Sequence, residues 1–419
     1  METRTNPPAV KGVTAAILVT AAILVTAAIL VTAAILVTAA ILVTAFLYAF
    51  VNSISSVLLN EVVAAFSLTG AAQGLLSSML SVGYMLALLV NPLFQGRTEK
   101  LFMLLLSGLL QVAMLLLSGS ASSFAVFLTA IVLLGVGCGW LDGYINSCMI
   151  DFHPHDSPKY LSLLHGLFGV GSLLAPLLMQ ALLLGISWRG VFFVIAAMTA
   201  GAMLCVALAR RGAKGLDSRQ QAREERLSLQ QFGDYLRKKR NLLLLACGAM
   251  CAMVQTGLTC WIVRYMLLVH NNDALGATCL TVYWVAATVN RFLAPHLRVR
   301  PLLLILGGGA LSAGLLALGI LSGSAAVMCL CFGLLGLVTG HFMPMMVAEC
   351  ARGYQGSTTL TTSMYMFVTG IARVVVPILM ADLSDAVSIQ VGMSVPIFAG
   401  LLVILFAAGA LRLPAPDEP

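Results

Sequence analysis

Apolar runs of about twenty residues, separated by short polar breaks, fill this chain from Thr44 to Arg412. A hydrocarbon core of about 30 Å is crossed by about 20 helical residues. The pattern therefore predicts twelve membrane-spanning helices, at roughly 38–62, 70–93, 101–119, 124–150, 160–185, 188–209, 241–269, 275–297, 301–321, 325–348, 358–381 and 391–411. The longest break, Arg210–Arg240, carries ten Lys/Arg against four acids and divides the chain into six plus six. It predicts a cytoplasmic surface segment. Leu227, Leu229, Phe232 and Leu236 fall on the less polar side of an amphipathic helix within it, a plain solvated linker being the other reading.

The N-terminal region breaks the pattern. The hexapeptide T-A-A-I-L-V occurs five times in tandem from Thr14 to Val43. A six-residue step turns a helix by about 600°, so successive threonines fall on three faces and no polar stripe forms. We read 14–43 as a greasy extension without chemistry, placed between a short N-terminus (1–13) and a six-helix half (44–209). The linker (210–240), a second six-helix half (241–412) and a tail (413–419) follow. One helix from Thr14 to Leu59 would be about 69 Å long. The extension must therefore protrude or form an additional span.

Composition agrees with this class: 60% of residues are hydrophobic, 9% are charged, and the mean hydropathy is +1.01. Soluble domains carry about a quarter charged residues. The net charge of +7 reflects orientation rather than nucleic-acid binding. With both termini inside, nineteen of the 23 Lys/Arg fall on cytoplasmic segments, and only Arg189 lies in an external loop. Arg264, Arg291 and Arg373 fall within predicted spans. The ten cysteines all sit in apolar segments without a C-x-x-C pair, so packing roles are expected and neither disulfides nor zinc. His153-Pro154-His155-Asp156 reads as a solvated turn. No phosphate-binding G-x-x-x-x-G-K-[ST] loop occurs, and no catalytic cluster stands at an interface. Neither an enzyme nor ATP drive is expected, and no cofactor or metal.

Polar groups inside spans carry the chemistry. Between Gly137 and Pro176, Asp142, Asn146 and His165 interrupt two apolar runs. A carboxylate at membrane depth costs about 2.5–3.5 kcal/mol on insertion scales and marks a functional site by default. Asp142 and Asn146, four residues apart, share a helix face. Asp142 is the candidate proton carrier, or else a structural partner for a cation such as Arg373. His165 is a candidate proton partner or solute ligand. Asn52, Ser56 and Asn60 form a polar stripe in the first span; Gln255 and Thr259 share a face in the seventh. Thr358, Thr362, Tyr365, Thr369 and Arg373 follow one stripe in the eleventh, and Asn290 and His341 are further polar groups. Our candidate substrate contacts are Asn52, Ser56, Asn146, His165, Gln255, Thr259, Asn290, His341, Tyr365 and Arg373. Trp261, Tyr265, Tyr283 and Trp284 either stack on a solute ring or anchor helix ends at the interface.

Gly137, Gly139, Leu141, Asp142 and Asn146 match a Gly-x-Gly-x-Leu-acid element with Asn four residues on. Leu161, Leu163, His165, Gly169 and Gly171 follow as the start of the next helix. With Phe46-Leu47-Tyr48, Asn52, Gln73-Gly74-Leu75, Gly83-Tyr84, Trp284 and Asn290-Arg291, this resembles the fucose permease family of sugar:proton symporters within the major facilitator superfamily. Ser56 stands where that family carries an acid in helix one. The loop after helix two is shortened to Gly96-Arg97-Thr98-Glu99-Lys100. The resemblance implies an all-α 6+6 bundle in a plasma membrane, as in a bacterial inner membrane, working as a monomer. It implies transport of a small polar solute, such as a sugar, with protons by alternating access. The alternatives are a drug or metabolite exporter of the same superfamily and a non-transporting sensor.

Overall fold

The computed structural model describes residues 34–55, 57–68, 70–94, 97–223, 229–352, 354 and 357–414. The helices are α1 (Ala34–Ser55), α2 (Leu59–Phe66), α3 (Gly70–Val90), α4 (Lys100–Ser120), α5 (Phe124–Phe152), α6 (Ser157–Leu183), α7 (Trp188–Arg223) and α8 (Leu229–Arg237) in the first half and linker. The second half has α9 (Lys239–His270), α10 (Asp273–Leu293), α11 (Pro301–Leu321), α12 (Ala325–Thr339), α13 (Phe342–Arg352), α14 (Thr358–Ala386), α15 (Ile389–Gly392) and α16 (Val395–Leu411). Ten stretches among the described residues are long and apolar enough to cross a membrane. With α3 and α10, of 21 residues each, they make a twelve-helix, all-α bundle in which α1–α2, α12–α13 and α15–α16 each form one crossing.

The first crossing takes in the last ten residues of the hexapeptide array. Val37 and Ile41 are buried, whereas Ile35, Leu36 and Val43 are exposed, so one face of the repeat packs into the first half. Thr38 lies 2.8 Å from His153 Nε2 at the end of α5. Residues 14–33, with the question of an additional span, lie outside the described residues. In the linker, Phe232 and Leu236 of α8 are half-buried as the amphipathic pattern predicts, and Tyr235 between them is buried. Leu227 lies outside the described residues.

The two halves use one packing scheme. In the first, α3 packs on α5, and α4 on both α5 and α7; in the second, α10 packs on α12, and α11 on both α12 and α16. Lipid tails are as apolar as leucine, so helix association rests on close van der Waals contact at small residues. A Cβ added at Gly83 of α3 would meet the Val132 carbonyl of α5, and one at Gly135 the Leu80 carbonyl of α3. Gly336 of α12 and Gly340 just after it stand in the same relation to Tyr283 and Ala287 of α10.

The cysteine expectation needs correction. Cys279 of α10 and Cys329 of α12 form a disulfide, with Cα atoms 5.0 Å apart and 50 residues between them in sequence. No local spacing announces it, because the pair meets only when the two helices pack. Both lie near the end of the bundle opposite the linker, here called the far end.

Two measurements test this packing. Gly83→Ala or Gly135→Ala is expected to cost about 1–3 kcal/mol by overpacking, read as a lowered thermal midpoint. Gly201→Ala and Gly314→Ala, inside helices and with nothing within 4 Å of the added carbon, serve as controls and leave the midpoint unchanged or slightly raised. Alkylation of the denatured, unreduced protein is expected to label eight thiols, and all ten after reduction.

Candidate functional site

Ser123 caps α5, accepting a hydrogen bond from the Val126 amide at 3.4 Å, and the helix then runs unbroken to Phe152. Its small residues Gly135, Gly137 and Gly139 let α3 and α4 approach closely. That approach brings Tyr84 of α3 against Asp142: the phenol donates to Oδ2 at 2.6 Å. One turn on, the Asn146 amide donates to Asp142 Oδ1 at 3.0 Å and to the Asp142 carbonyl at 2.8 Å. Both carboxylate oxygens are thus satisfied without a cation. No Lys, Arg or His nitrogen among the described residues comes within 4 Å of them, so Asp142 is not an ion-pair partner of Arg373 here.

The chain of bonds continues. With its nitrogen committed to two acceptors, Asn146 presents Oδ1 to His165 Nε2 at 3.0 Å, which makes that ring nitrogen the donor. The His165 carbonyl in turn accepts from Arg291 Nη1 of α10 at 3.2 Å, and Arg291 Nε donates to the Gly340 carbonyl at 3.2 Å. Asp142, Asn146, His165 and Arg291 therefore link α5 and α6 of the first half to α10 and the α12–α13 junction of the second.

This chain borders a cavity of about 580 Å³ between the halves. Tyr48, Asn52, Ser81, Tyr84, Asp142 and His165 line it from the first half, and Gln255, Thr259, Trp284, Thr288, Arg291 and Arg373 from the second. Exposure rises along it. Ile145, Leu164 and His165, nearer the linker end, are buried, whereas Asn52, Ser81, Trp284, Arg373 and Val374 are exposed. Access is therefore from the far end. At the linker end Lys100 of α4, Asp151 of α5 and Thr358 of α14 close the halves together. Lys100 Nζ lies 2.5 Å from Asp151 Oδ2 and 2.8 Å from Thr358 Oγ1, which itself donates to Asp151 Oδ1 at 2.8 Å. Thr358 opens α14, so Asp151 also faces the positive end of a helix dipole.

Of the predicted substrate contacts, Asn52, His165, Gln255, Thr259 and Arg373 line the cavity, as does the proton candidate Asp142. Asn146 stands behind it as the bridge between Asp142 and His165. Asn290 and His341 are placed away from it, His341 Nδ1 lying 3.0 Å from Asn290 Oδ1 within the second half. Tyr365 is buried against Gly248 of α9. Ser56 lies outside the described residues. Of the four aromatic candidates Trp284 alone lines the cavity, and Trp261, Tyr265 and Tyr283 are core residues. Tyr84, Tyr48, Thr288 and Arg291 were missing from the candidate set. Arg291, a cation inside a predicted span, was the strongest available signal.

If the chain carries energy between Asp142 and His165, the two residues are coupled although they do not touch. A double-mutant cycle on thermal unfolding with Asp142→Asn and His165→Gln is expected to show a coupling of about 0.5–3 kcal/mol. Repeating it in an Asn146→Leu background should remove the coupling; additivity already in the native background would break the chain.

The family model for the Major Facilitator Superfamily matches residues 41–357. Among solved structures, a variant of the Escherichia coli fucose:proton symporter FucP is 17% identical with a TM-score of 0.69, over 90% of this chain and 98% of that one. The proton:xylose symporter XylE is 13% identical with a TM-score of 0.70, over 92% and 97%. The human organic anion transporter MFSD10 is 13% identical with a TM-score of 0.71, over 89% and 99%. No curated protein sequence matches the chain. The twelve-helix bundle and a family match over most of its length place this chain in the Major Facilitator Superfamily of transporters.

Proposed function

We propose that the protein is a secondary active transporter that moves a small polar solute, sugar-like in its hydroxyl content, together with protons by alternating access. The observation that carries this is the hydrogen-bonded chain from Asp142 to Arg291, which ties the one carboxylate of the cavity to contacts between the halves. When Asp142 takes a proton one of its oxygens becomes a donor, the bonds from Tyr84 and Asn146 rearrange, and the His165 ring that Asn146 holds is released beside the main-chain carbonyl that meets Arg291. A proton is thereby converted into a bias on the rocking of the two halves about a midplane site.

The lining supports a polar cargo. Asn52, Gln255, Thr256, Thr259 and Thr288 present amide and hydroxyl groups, and Trp284 offers a ring face to the apolar side of a hydroxylated solute. Fold neighbours that carry fucose or xylose with protons work in the same sense. With Ser56 in place of an acid in helix one, Asp142 carries the proton alone.

The linker end is cytoplasmic in this reading. The Lys/Arg excess lies there, and the Cys279–Cys329 disulfide lies at the opposite end, where an oxidising compartment sustains it. The cavity then faces outward, and the Lys100–Asp151–Thr358 cluster is the closed inner gate, replacing the longer loop of the superfamily pattern.

Reconstituted vesicles with an imposed pH gradient test the reading. The wild-type protein accumulates its solute against a gradient, and Asp142→Asn abolishes accumulation while sparing exchange of the same solute. Accumulation unchanged in Asp142→Asn would remove the proton role. A protein that binds solute but never carries it would be a sensor.

A further inference from the structure

The charges of the cavity do not balance, and the imbalance specifies the cargo. Two guanidinium groups, Arg291 and Arg373, line it against one carboxylate, Asp142. Arginine stays protonated in proteins, and a fixed charge at membrane depth is costly unless it is paired or solvated. Arg291 is buried and spends its donors on the carbonyls of His165 and Gly340. Arg373 is different. It is exposed to the cavity, and no carboxylate among the described residues lies within 4 Å of it. Its guanidinium meets only Met343 Sδ, at 4.0 Å, among those residues. Asp142, the one cavity acid, has both oxygens engaged by Tyr84 and Asn146. A guanidinium fork left open in a cavity is suited to one ligand chemistry, a planar carboxylate bound through two parallel N–H bonds.

We propose that the transported solute is an anion: a small hydroxylated monocarboxylate of the sugar-acid class, its carboxylate bound by Arg373 and its hydroxyls by Asn52, Gln255 and Thr259. This deepens the transport reading above and rests on it.

The charge arithmetic explains the coupling. In the empty carrier an ionised Asp142 faces Arg373 and Arg291, and the cavity keeps one net positive charge. In the loaded carrier the proton sits on Asp142 and the substrate carboxylate on Arg373, and the net charge is again one positive. The mixed states change that charge, a proton without anion to two positive and an anion without proton to none, so joint loading alone preserves the charge of the empty carrier. One proton therefore crosses with one monoanion, with no net charge moved. The groups that face Asp142 in this cycle are Tyr84 of α3, Tyr48 of α1, Cys138 of α5, His165 of α6 through Asn146, Arg291 of α10 and Arg373 of α14.

The test uses the purified full chain in vesicles and a matched panel of D-glucose, D-galactose, D-gluconate, D-galactonate, D-glucuronate and D-galacturonate. At least one acid is expected to be taken up under an inward pH gradient and its parent sugar not. Because no net charge moves, this uptake follows the pH gradient and ignores a potassium-diffusion potential set with valinomycin. Arg373→Gln should lower affinity for the acid by about a hundredfold, with partial rescue by Arg373→Lys. Thermal unfolding of each variant checks that it is folded. Gradient-driven uptake of a neutral sugar that survives Arg373→Gln and responds to the potential overturns the anion assignment and leaves proton-coupled transport standing. The absence of gradient-driven uptake of either class overturns both.

Discussion

A carboxylate held between two helix bundles at membrane depth, with no cation among the described residues within ion-pair distance, is the constraint from which the rest of the site follows. Asp142 is tolerated because Tyr84 and Asn146 supply hydrogen bonds in place of water. The Tyr84 bond exists only because α3 and α5 approach to backbone contact at Gly83, Gly135 and Gly139. A single methyl at those positions would push the helices apart and draw the phenol off the carboxylate. Packing and chemistry are one problem here: the glycines that let helices associate in lipid also set the geometry around Asp142.

The second dependence is between the halves. They share a packing scheme, yet the groups they bring to the cavity are not alike. The first half contributes the acid, the imidazole and two tyrosines; the second contributes both guanidinium groups and the amide–hydroxyl pair Gln255 and Thr259. Each half alone would bury a charge without compensation, so the charged state of the cavity and the arrangement of the halves constrain each other. The linker-end cluster of Lys100, Asp151 and Thr358 holds that arrangement closed on one side. The far end carries no ion pair among the described residues and is held instead within the second half by a disulfide.

Much of this was legible in the residue order. Twelve apolar runs, the basic linker and the asymmetry of Lys and Arg define the crossings, because the thickness of a bilayer and the cost of moving charge through it act on each segment separately. Asp142 and Asn146 share a face by helix geometry alone, and a buried acid announces itself by its cost. The last ten residues of the hexapeptide array were harder to place. The repeat is apolar on every side, and a helix in lipid needs no polar face, so nothing in it says which of its residues would meet the bundle.

What the sequence determined by itself was the set of crossings and the presence of an acid, an amide and an imidazole at membrane depth. The tertiary structure decided which polar groups meet. Tyr84 reaches Asp142 across 58 residues, Cys279 reaches Cys329 across 50, and Arg291 crosses from one half to the other. It also turned Asn290 and His341 toward each other and Tyr365 into the core. The physical reason is the solvent: in a bilayer both the lipid-facing and the core-facing sides of a helix are apolar. The pattern that points a soluble helix inward is therefore absent, and rotation about each helix axis is set only by the neighbours it packs against.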